Sequence, residues 1–418
     1  MPANQTDLLK VSSRTTCRVC HSPDLVSIFS LGNLYVSNFV DTVDTKAIKA
    51  PLELVYCEKC TLVQLKDTAP QELLYARSYW YRSGLNPVIT SDLKEITEVV
   101  RHTVKLKQGD IVLDIGANDG SMLQHYPETL VRVGCEPARN LVSYLRKVTP
   151  WVINDFWSYK AWRRRFGAKK AKAITAIGMF YDMEDPNQFI RDAAKALDKN
   201  GVFIAQLMCL EPMLQKNDLG NICHEHLEYY SYASLKYLFE SNGLEIFRVE
   251  ENSINGGSYR LFARHLKSGS VEHKEHCTKQ DLLDFRDRIN RNRRATMEFV
   301  RSEVARGKKV YAYGASTKGN TILQYFGLDA KLLAGAADKD PRKWGKLTIG
   351  TWVPIVNEDE ARKNADYFLV LPWAFWRSFH AREQPWLKNG GRFVLPLPEF
   401  QVVNAAGKVV AGLEPATR

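Results

Sequence analysis

The sequence has 418 residues, of which 45% are hydrophobic and 25% are charged. This composition is that of a globular protein, and it excludes a collagen-like chain, a coiled coil and wholesale disorder. The 58 Lys and Arg exceed the 47 Asp and Glu, and the net charge of +11 suits an anionic ligand. It does not decide between nucleic acid, a membrane surface and a nucleotide diphosphate. The length predicts two or three domains.

The hydrophobic pattern predicts where the protein is located. Apolar runs such as residues 368–376 are much shorter than the ~18–20 residues that a membrane span needs. The first sixteen residues are polar and carry no apolar secretory core. We therefore expect a cytoplasmic protein that has no membrane partner.

Four of the eight cysteines form two Cys-x-x-Cys pairs, Cys17 with Cys20 and Cys57 with Cys60. In a reducing compartment such pairs indicate a metal site rather than disulfides. Four thiolates complete the tetrahedral shell of Zn²⁺ and leave no open position, so the predicted zinc is structural. We assign a zinc-binding domain to residues 1–75, with His21 as a less suitable alternative ligand.

Residues 76–265 show alternating strand and helix patterns. A helix is predicted at 87–104, strands at 111–113, 131–135, 173–177 and 202–205, and further helices at 187–197 and 234–240. This alternation is typical of a doubly wound α/β sheet.

The turn after the first of these strands is rich in glycine but lacks the GxGxxG spacing of a dinucleotide site. Its carboxylates would repel a pyrophosphate, whereas a sulfonium zwitterion suits them better. Glu136 ends the second strand, where it can accept both ribose hydroxyls, and Asp155 ends a third strand near an adenine amino group. This pattern resembles the class I S-adenosylmethionine-dependent methyltransferases, with a Rossmann-like domain for another ligand as the alternative. The predicted cofactor-binding residues are Asp114, Gly116, Ala117, Asn118, Asp119, Gly120, Glu136, Pro137, Asp155 and Phe156.

Residues 221–231 hold two imidazoles, two carboxylates and two phenols close together. A histidine has a pKa that suits general base catalysis near neutral pH, which makes His224 and His226 candidate catalytic residues. The alternatives are a metal site formed by these two histidines and a purely structural cluster.

The C-terminal part begins with a charged helical pattern over residues 266–306, which predicts a helical connector. Strands are then predicted at 309–313, 332–336, 367–371 and 392–395, so residues 307–418 are assigned to a C-terminal Rossmann-like α/β domain. A turn after its first strand contains Ser316 and Lys318 and opens a helix, a place where backbone N–H groups bind an anion. Asp338 stands near the next strand end, like a ribose acid. We favour binding of the substrate's nucleotide or diphosphate, over a dinucleotide or a module used only for packing.

The whole arrangement resembles the sugar C-methyltransferase family, which methylates nucleotide-linked 4-keto-6-deoxy sugars. The resemblance rests on the two Cys-x-x-Cys pairs, the methyl-donor pattern, Glu225-His226, and the segments at 79–84 and 255–260. This chain departs from some members at Cys223, where they have a tyrosine, and at Asp182, where they have a histidine. Those departures leave open which groups hold the sugar.

The resemblance implies a mechanism and the residues that perform it. His226 removes the acidic hydrogen from carbon 3, Glu225 orients the imidazole, and Tyr79, Tyr81 and His224 are candidate hydrogen-bond donors to the enolate. The implied cofactors are S-adenosylmethionine and a structural zinc ion, and the implied partner is a nucleotide-linked keto-sugar rather than a nucleic acid. We expect a monomer. The predicted substrate-binding residues are Arg82, Tyr181, Cys223, Asn255, Ser316, Thr317, Lys318 and Asn320.

Three other functions remain as alternatives at this point. A nucleic-acid methyltransferase suits the positive charge, but the fourth strand lacks an Asn/Asp-Pro-Pro-Tyr/Phe motif for an exocyclic amine. A small-molecule O- or N-methyltransferase would need no acidic carbon–hydrogen bond. A binding or scaffold protein would fail to bind the methyl donor.

Overall fold

The structure is a computed structural model that describes residues 10–76 and 79–413. The chain divides into two compact units, each built from separate stretches of sequence. The first unit contains the chain up to Val26, Val55–Leu210 and Leu227–His276, and the second contains Ser27–Leu54, Glu211–His226 and the chain from Cys277 onward. The domain boundaries expected from the sequence stay predictions, because these two compact units do not correspond one to one with the predicted domains.

The strands are numbered β1 to β22 in chain order. They are Ser12–Ser13, Leu25–Tyr35, Phe39–Val40, Lys49–Cys57, Val63–Leu65, Asp67–Thr68, Ile111–Ile115, Val131–Cys135, Trp151–Ile153, Ala171–Ile177, Leu197–Met208, Glu228–Tyr229, Leu244–Asn252, Ser258–His265, Val310–Tyr313, Gly335–Asp338, Leu347–Thr348, Ile355–Asn357, Tyr367–Val370, Arg392–Leu395, Gln401–Val403 and Val409–Gly412.

The α-helices are numbered α1 to α11 in the same way. They are Pro87–Thr103, Arg139–Val148, Tyr159–Phe166, Pro186–Ala196, Leu210–Gln215, Tyr232–Ser241, Lys279–Ala305, Thr317–Phe326, Glu358–Asn364, Trp376–Arg382 and Gln384–Lys388. Short 3-10 turns include Leu219–Asn221, which precedes the predicted catalytic segment. None of the helices in the described part of the chain is both long and apolar enough to cross a membrane.

A seven-stranded sheet organises the first unit, in the order β13-β14-β11-β10-β7-β8-β9. Strands β7 to β11 run parallel, whereas β14 pairs antiparallel with β11 and β13 pairs antiparallel with β14. The order reverses between β7 and β10, so the crevice beyond their carboxyl ends is where an open α/β sheet binds its ligand. The predicted doubly wound sheet is confirmed.

Local sequence explains why the elements of this sheet form where they do. All five residues of β7 are buried, as expected for a parallel strand covered on both faces. Helix α1 begins after Asn86, whose side chain accepts a hydrogen bond from the N–H of Val88, and has Pro87 in its first turn. Its buried residues Ile96 and Val100 are four apart, so one face packs against the sheet core.

A second seven-stranded sheet organises the second unit, in the order β18-β16-β15-β19-β20-β21-β22. Its first five strands in that order are parallel and the last two are antiparallel, which confirms the predicted second α/β domain. Helix α7 supplies the predicted connector helix over Lys279–Ala305, whereas residues 266–278 are not helical, so the predicted start at 266 is wrong. A capping box between Thr278 and Asp281 starts it, and Leu282, Phe285 and Ile289 are buried along one face.

One predicted strand of this unit is displaced along the sequence. The expectation was residues 332–336, but the strand is Gly335–Asp338. The carbonyl of Asp329 accepts hydrogen bonds from the N–H groups of Leu332 and Leu333, and its side chain accepts one from Lys331. The prediction is wrong at this end because these local bonds close a turn, and the chain becomes extended only after it.

Candidate active site

The four cysteines of the two Cys-x-x-Cys pairs lie together in the first unit. Their sulfur atoms are all within 4.8 Å of one another, and the Cys17–Cys60 and Cys20–Cys57 sulfur separations are both 3.5 Å. Zn–S bonds of about 2.3 Å in a tetrahedron place sulfur atoms about 3.8 Å apart, so the cluster fits a zinc ion. A closed four-thiolate site confirms the predicted structural zinc.

The two Cys-x-x-Cys turns have the same backbone geometry. The N–H of His21 donates to the carbonyl of Cys17 at 3.1 Å, and the N–H of Thr61 donates to that of Cys57 at 2.9 Å. His21 and Thr61 both adopt positive φ angles, of 59° and 62°. His21 is therefore a turn residue with an exposed side chain, and the four sulfur atoms form the ligand set without it.

A cavity of about 310 Å³ opens at the carboxyl edge of the first sheet, in the crevice beside β7 and β10. Its volume suits a bound small molecule. Of the ten predicted cofactor-binding residues, the cavity wall contains Gly116, Asn118, Glu136, Pro137 and Phe156. The predicted aromatic residues Tyr79 and Tyr81 also line it.

Glu136 is the charged group at the centre of this wall. One carboxylate oxygen accepts from the N–H of Asn118 and the other from the N–H of Ala138, both at 2.8 Å. Burial raises the pKa of Glu136, while these two hydrogen bonds oppose the rise. The two bonds hold the carboxylate in one orientation, with a further lone pair on each oxygen for a ligand hydroxyl.

Three of the predicted donor-binding carboxylates have other structural roles. Asp114 accepts a hydrogen bond from the Thr175 hydroxyl at 2.7 Å, and burial raises its pKa to about 7. Asp119 accepts from Arg82 and from the N–H of Gly84, at 2.9 and 3.1 Å. Asp155 is exposed and accepts from the N–H of Phe156 at 2.9 Å. None of the three lines the described cavity, and neither do Ala117 and Gly120.

The aromatic segment at residues 79–84 is anchored to the donor-binding turn. Asn118 accepts from the N–H of Ser83 at 3.0 Å and donates to the carbonyl of Tyr81 at 3.3 Å. The Arg82 guanidinium lies 3.9 Å from the centre of the Tyr144 ring while its Nε donates to Asp119. Asp119 therefore anchors this segment although it does not line the cavity.

Sequence reasoning missed several residues of the cavity wall. Gln71, Tyr75, Trp157, Gln188 and Asp192 all contribute to it. Tyr75 belongs to the short helical segment Glu72–Ala76 and Gln71 directly precedes it, Trp157 comes from a loop, and the other two come from α4. No local pattern marks them because only the fold brings them together. Three predicted substrate residues of this unit are not part of the cavity wall: Arg82 donates to Asp119, the Tyr181 hydroxyl donates to the carbonyl of Gly178 at 2.8 Å, and Asn255 forms a left-handed turn before β14.

The predicted base His226 belongs to the second unit and is buried. Its Nδ1 lies 2.7 Å from the carbonyl oxygen of Asn221. A carbonyl can only accept, so Nδ1 carries the hydrogen and Nε2 keeps the basic lone pair. The orienting acceptor is thus this backbone carbonyl, where the sequence had suggested Glu225. Burial, and then the charge of Lys318, hold the pKa of His226 well below its usual range.

His224 has a different arrangement. Its Nε2 lies 2.9 Å from the carbonyl of Ala50, and burial lowers its pKa to about 4. The imidazole is therefore neutral, with its one N–H used by Ala50, and its buried Nδ1 has no hydrogen-bond partner among the described residues. The structure does not support His224 as a donor to an enolate, since Nδ1 can only accept. In the described part of the chain, His224 and His226 are not members of any group of three or more metal-ligating side chains.

Glu225 and Cys223 complete the buried part of this segment. Both are almost fully buried. Burial raises the pKa of Glu225, and the neighbouring Cys223 thiol and the Lys318 charge oppose that rise. The segment thus places a carboxyl group directly beside the histidine base in sequence, in a poorly solvated environment.

The N-terminus of α8 lies against the same segment. Ser316 caps the helix by accepting from the N–H of Gly319 at 2.9 Å, and Lys318 extends its Nζ to 3.5 Å from the side-chain oxygen of Asn221. Thr317 is the first helical residue. Asn320 is buried, and neither atom of its amide group has a hydrogen-bond partner in the part of the chain that the structure describes. A buried amide of this kind indicates a polar ligand.

The predicted ribose acid of the second unit, Asp338, is held at the turn that precedes α8. The Asp338 carboxylate accepts from the N–H of Ala315 at 2.9 Å and from Lys343 Nζ at 3.1 Å. These bonds fix the carboxylate beside the N-terminus of α8, and the choice between a dinucleotide and the substrate's nucleotide stays a prediction.

Comparisons with known proteins agree with the order of the predicted parts. A family model described as a putative zinc binding domain matches residues 17–75, and one described as a methyltransferase domain matches residues 91–249. A third, described as a C-methyltransferase C-terminal domain, matches residues 253–398. The methyltransferase match, together with the sheet topology, confirms the predicted class I methyltransferase fold and its cofactor S-adenosylmethionine.

One curated relative spans nearly the whole chain. The C-methyltransferase NovU of Streptomyces niveus is 28% identical over 412 residues, which are 93% of this chain and 97% of that protein. Among solved structures, the magnesium protoporphyrin IX methyltransferase ChlM from Synechocystis is 14% identical, with a TM-score of 0.32 over 43% of this chain and 82% of that one. The CcbJ methyltransferase from Streptomyces caelestis is 15% identical, with a TM-score of 0.32 over 42% of this chain and 90% of that one. At these scores the structural similarity supports no conclusion about function.

Proposed function

We propose that this chain, which belongs to the sugar C-methyltransferase family, methylates carbon 3 of a nucleotide-linked 4-keto-6-deoxy sugar. The nucleotide is a dTDP or GDP group in this proposal. The observation that carries it is the buried His226, whose tautomer is fixed so that Nε2 is a neutral base. Carbon methylation needs such a base because the reacting carbon must first lose a proton.

The chemistry of the substrate explains the need for this residue. A hydrogen on carbon 3 is acidic because the neighbouring carbon 4 carries a ketone. In the proposed step Nε2 of His226 takes that proton, and the electron pair of the broken bond becomes an enolate. Bound S-adenosylmethionine supplies an electrophilic sulfonium methyl group. Carbon 3 forms the new bond to that methyl group as the methyl–sulfur bond breaks, and the proton stays on His226.

The enolate oxygen needs hydrogen-bond donors aimed at the developing charge. We assign this role to the hydroxyls of Tyr79 and Tyr81, because a phenol donates without carrying a charge of its own. Both residues line the donor cavity of the first unit, and Asn118 holds the backbone at Tyr81 and Ser83 through two hydrogen bonds. Glu225 is assigned to stabilising the imidazolium that forms on His226.

The diphosphate is assigned to the N-terminus of α8 in the second unit. The helix terminus provides partial positive charge, and Lys318 adds a full charge. The unpartnered amide of Asn320 and the hydroxyls of Ser316 and Thr317 supply further polar groups. This site is in the same compact unit as His226, so one unit of the chain can hold both the nucleotide and the base.

A solvent-exchange experiment tests the proposed function. The protein is incubated in heavy water with dTDP-linked and GDP-linked 4-keto-6-deoxy sugars, each with and without S-adenosylmethionine, and the sugar is followed by mass spectrometry. We expect deuterium at carbon 3 when the methyl donor is omitted, and a mass gain of one methyl group when it is present. The nucleotide that supports both reactions is the natural one.

The opposite outcome is equally informative. Binding of the methyl donor without exchange or methyl gain on either sugar would exclude carbon methylation of these substrates. The small-molecule O- or N-methyltransferase would then be the better account, since neither reaction needs an acidic carbon–hydrogen bond.

Donor binding itself is tested by Glu136→Gln. The substitution places an NH₂ group opposite one of the two backbone N–H donors, at 2.8 Å, and removes the charge that accepts ribose hydroxyls. We expect S-adenosylmethionine to bind about 10–100-fold more weakly by isothermal titration calorimetry, as for loss of charge-assisted hydrogen bonds. Glu128→Gln changes an exposed carboxylate outside the cavity and should bind normally. Unchanged binding in Glu136→Gln would remove Glu136 from the donor site.

A further inference from the structure

Lys318 lies close to the segment that carries the base, although it belongs to a different element. Helix α8 packs against the turn at Leu219–Asn221. A Cβ added to Gly220 would lie 3.7 Å from the Cβ of Lys318 and 3.5 Å from a carboxylate oxygen of Asp218. The Nζ of Lys318 reaches to 3.5 Å from the side-chain oxygen of Asn221, whose own carbonyl holds Nδ1 of His226 at 2.7 Å. One residue, Asn221, therefore contacts both the ammonium group and the base.

The charged groups around this point belong to three elements of the second unit. The predicted catalytic segment contributes Glu225 and the neutral His224, the preceding loop contributes Lys216 and Asp218, and α8 contributes Lys318. Burial raises the pKa of Asp218 and of Glu225 and lowers that of His226, while the positive charge of Lys318 acts to lower all three, so it is the charge that these groups have in common. Asp218 is in turn fixed by Trp373, whose indole N–H donates to it at 3.1 Å.

We infer that Lys318 is a positioning residue of the reaction, which keeps His226 in its neutral, proton-accepting form. In this proposal the carboxyl group of Asp218 partly offsets the positive charge of Lys318. The inference rests on the proposed function for its catalytic meaning, but the charge effect exists without substrate. An ammonium group disfavours a second positive charge nearby, and it does so strongly where water is excluded. A base buried without such a charge would bind a proton more readily and would be inactive over a wider acidic range.

Three substitutions near His226 are expected to shift the acidic limb of the pH–rate profile upward, not at all, and downward. Lys318→Met removes the positive charge, so His226 should protonate at higher pH and the acidic limb of the pH–rate profile should move upward. Lys318→Arg keeps the charge and should leave the limb near its original position. Asp218→Asn removes the negative counter-charge but keeps an acceptor for Trp373, so the limb should move downward.

The first measurement uses the protein without substrate. Histidine labelled with ¹³C at the ring is incorporated, the His226 signal is assigned by its absence in His226→Gln, and its titration is followed by NMR in the wild type and the three variants. We expect an upward shift of about half a pH unit or more in Lys318→Met, and a downward shift in Asp218→Asn. The second measurement compares kcat and KM for the keto-sugar across pH. A half-unit upward shift lowers kcat about three-fold at a fixed pH on the acidic limb.

These measurements separate the possible roles of Lys318. If the lysine only binds diphosphate, Lys318→Met raises KM while the His226 titration and the limb stay in place, which overturns the inference. Shifts of opposite sign in Lys318→Met and Asp218→Asn support it. If the NMR shifts occur but no keto-sugar is turned over, the charge effect stands and the proposed function fails. Should Lys318→Met fail to fold, the Asp218→Asn titration decides alone, and its lack of shift overturns the inference.

Discussion

Replacing His226 by alanine is expected to lower methyl transfer by about 10²–10⁴-fold, the range that a general base contributes. The substitution removes the Nε2 lone pair, and the other imidazole of the segment, His224, is held by its Nε2 at the carbonyl of Ala50. Deuterium uptake at carbon 3 should fall in parallel, since the same proton transfer limits both reactions. The rate is measured by single-turnover mass spectrometry with saturating methyl donor.

Binding of the methyl donor provides the control for this variant. The donor cavity is formed by residues of the first unit, so S-adenosylmethionine should bind to His226→Ala as it does to the wild type. His102→Ala changes an exposed histidine at the end of α1 and should keep full turnover. Retained turnover and exchange in His226→Ala would show that another group is the base.

The pH dependence follows from the environment of the same residue. The base acts in its neutral form, so activity is lost as the pH falls through the pKa of His226. Burial and the Lys318 charge lower that pKa well below its usual range, so the acidic limb should lie below pH 6.5. A limb above this value in the wild type would contradict the buried, neutral histidine.

Removing one zinc ligand is expected to have the largest effect on stability. Cys17→Ser leaves three thiolates, which bind Zn²⁺ much more weakly than four, and metal binding contributes directly to folding in such sites. The two turns that the ion joins are separated by 36 residues and precede or follow strands of the first unit. We expect a loss of at least ~3 kcal/mol in the free energy of unfolding, and a Tm lower by roughly 6–12 °C.

Metal content and a matched cysteine variant check this expectation. Inductively coupled plasma mass spectrometry should give one zinc ion per chain in the wild type and much less in Cys17→Ser. Cys277→Ser removes a cysteine outside the cluster, so its zinc content and Tm should match those of the wild type. A full complement of zinc in Cys17→Ser would mean that this thiolate is not a ligand.

The sequence determined the parts of this protein whose signal is local. Each Cys-x-x-Cys turn places two ligands within four residues, so the zinc site requires only that the two turns lie close together in the fold. The spacing of hydrophobic residues along the chain predicted both α/β sheets. A helix and a strand that each bury one face repeat their hydrophobic residues at different intervals, so the sequence distinguishes them. The resemblance to the sugar C-methyltransferase family, carried by Glu225-His226 and the methyl-donor turn, is likewise a property of the sequence alone.

Only the tertiary structure decides where the candidate side chains lie and which atoms they bond to. Asp114, Asp119 and Glu136 look alike in sequence, yet Asp114 bonds to Thr175, Asp119 anchors residues 82–84, and Glu136 alone faces the cavity. The tautomer of His226 depends on the carbonyl of Asn221 five residues earlier, and the charge near it depends on Lys318 from a helix 92 residues later. Hydrogen bonds and charges act through distance in space, and the folded chain sets those distances without regard to separation along the sequence.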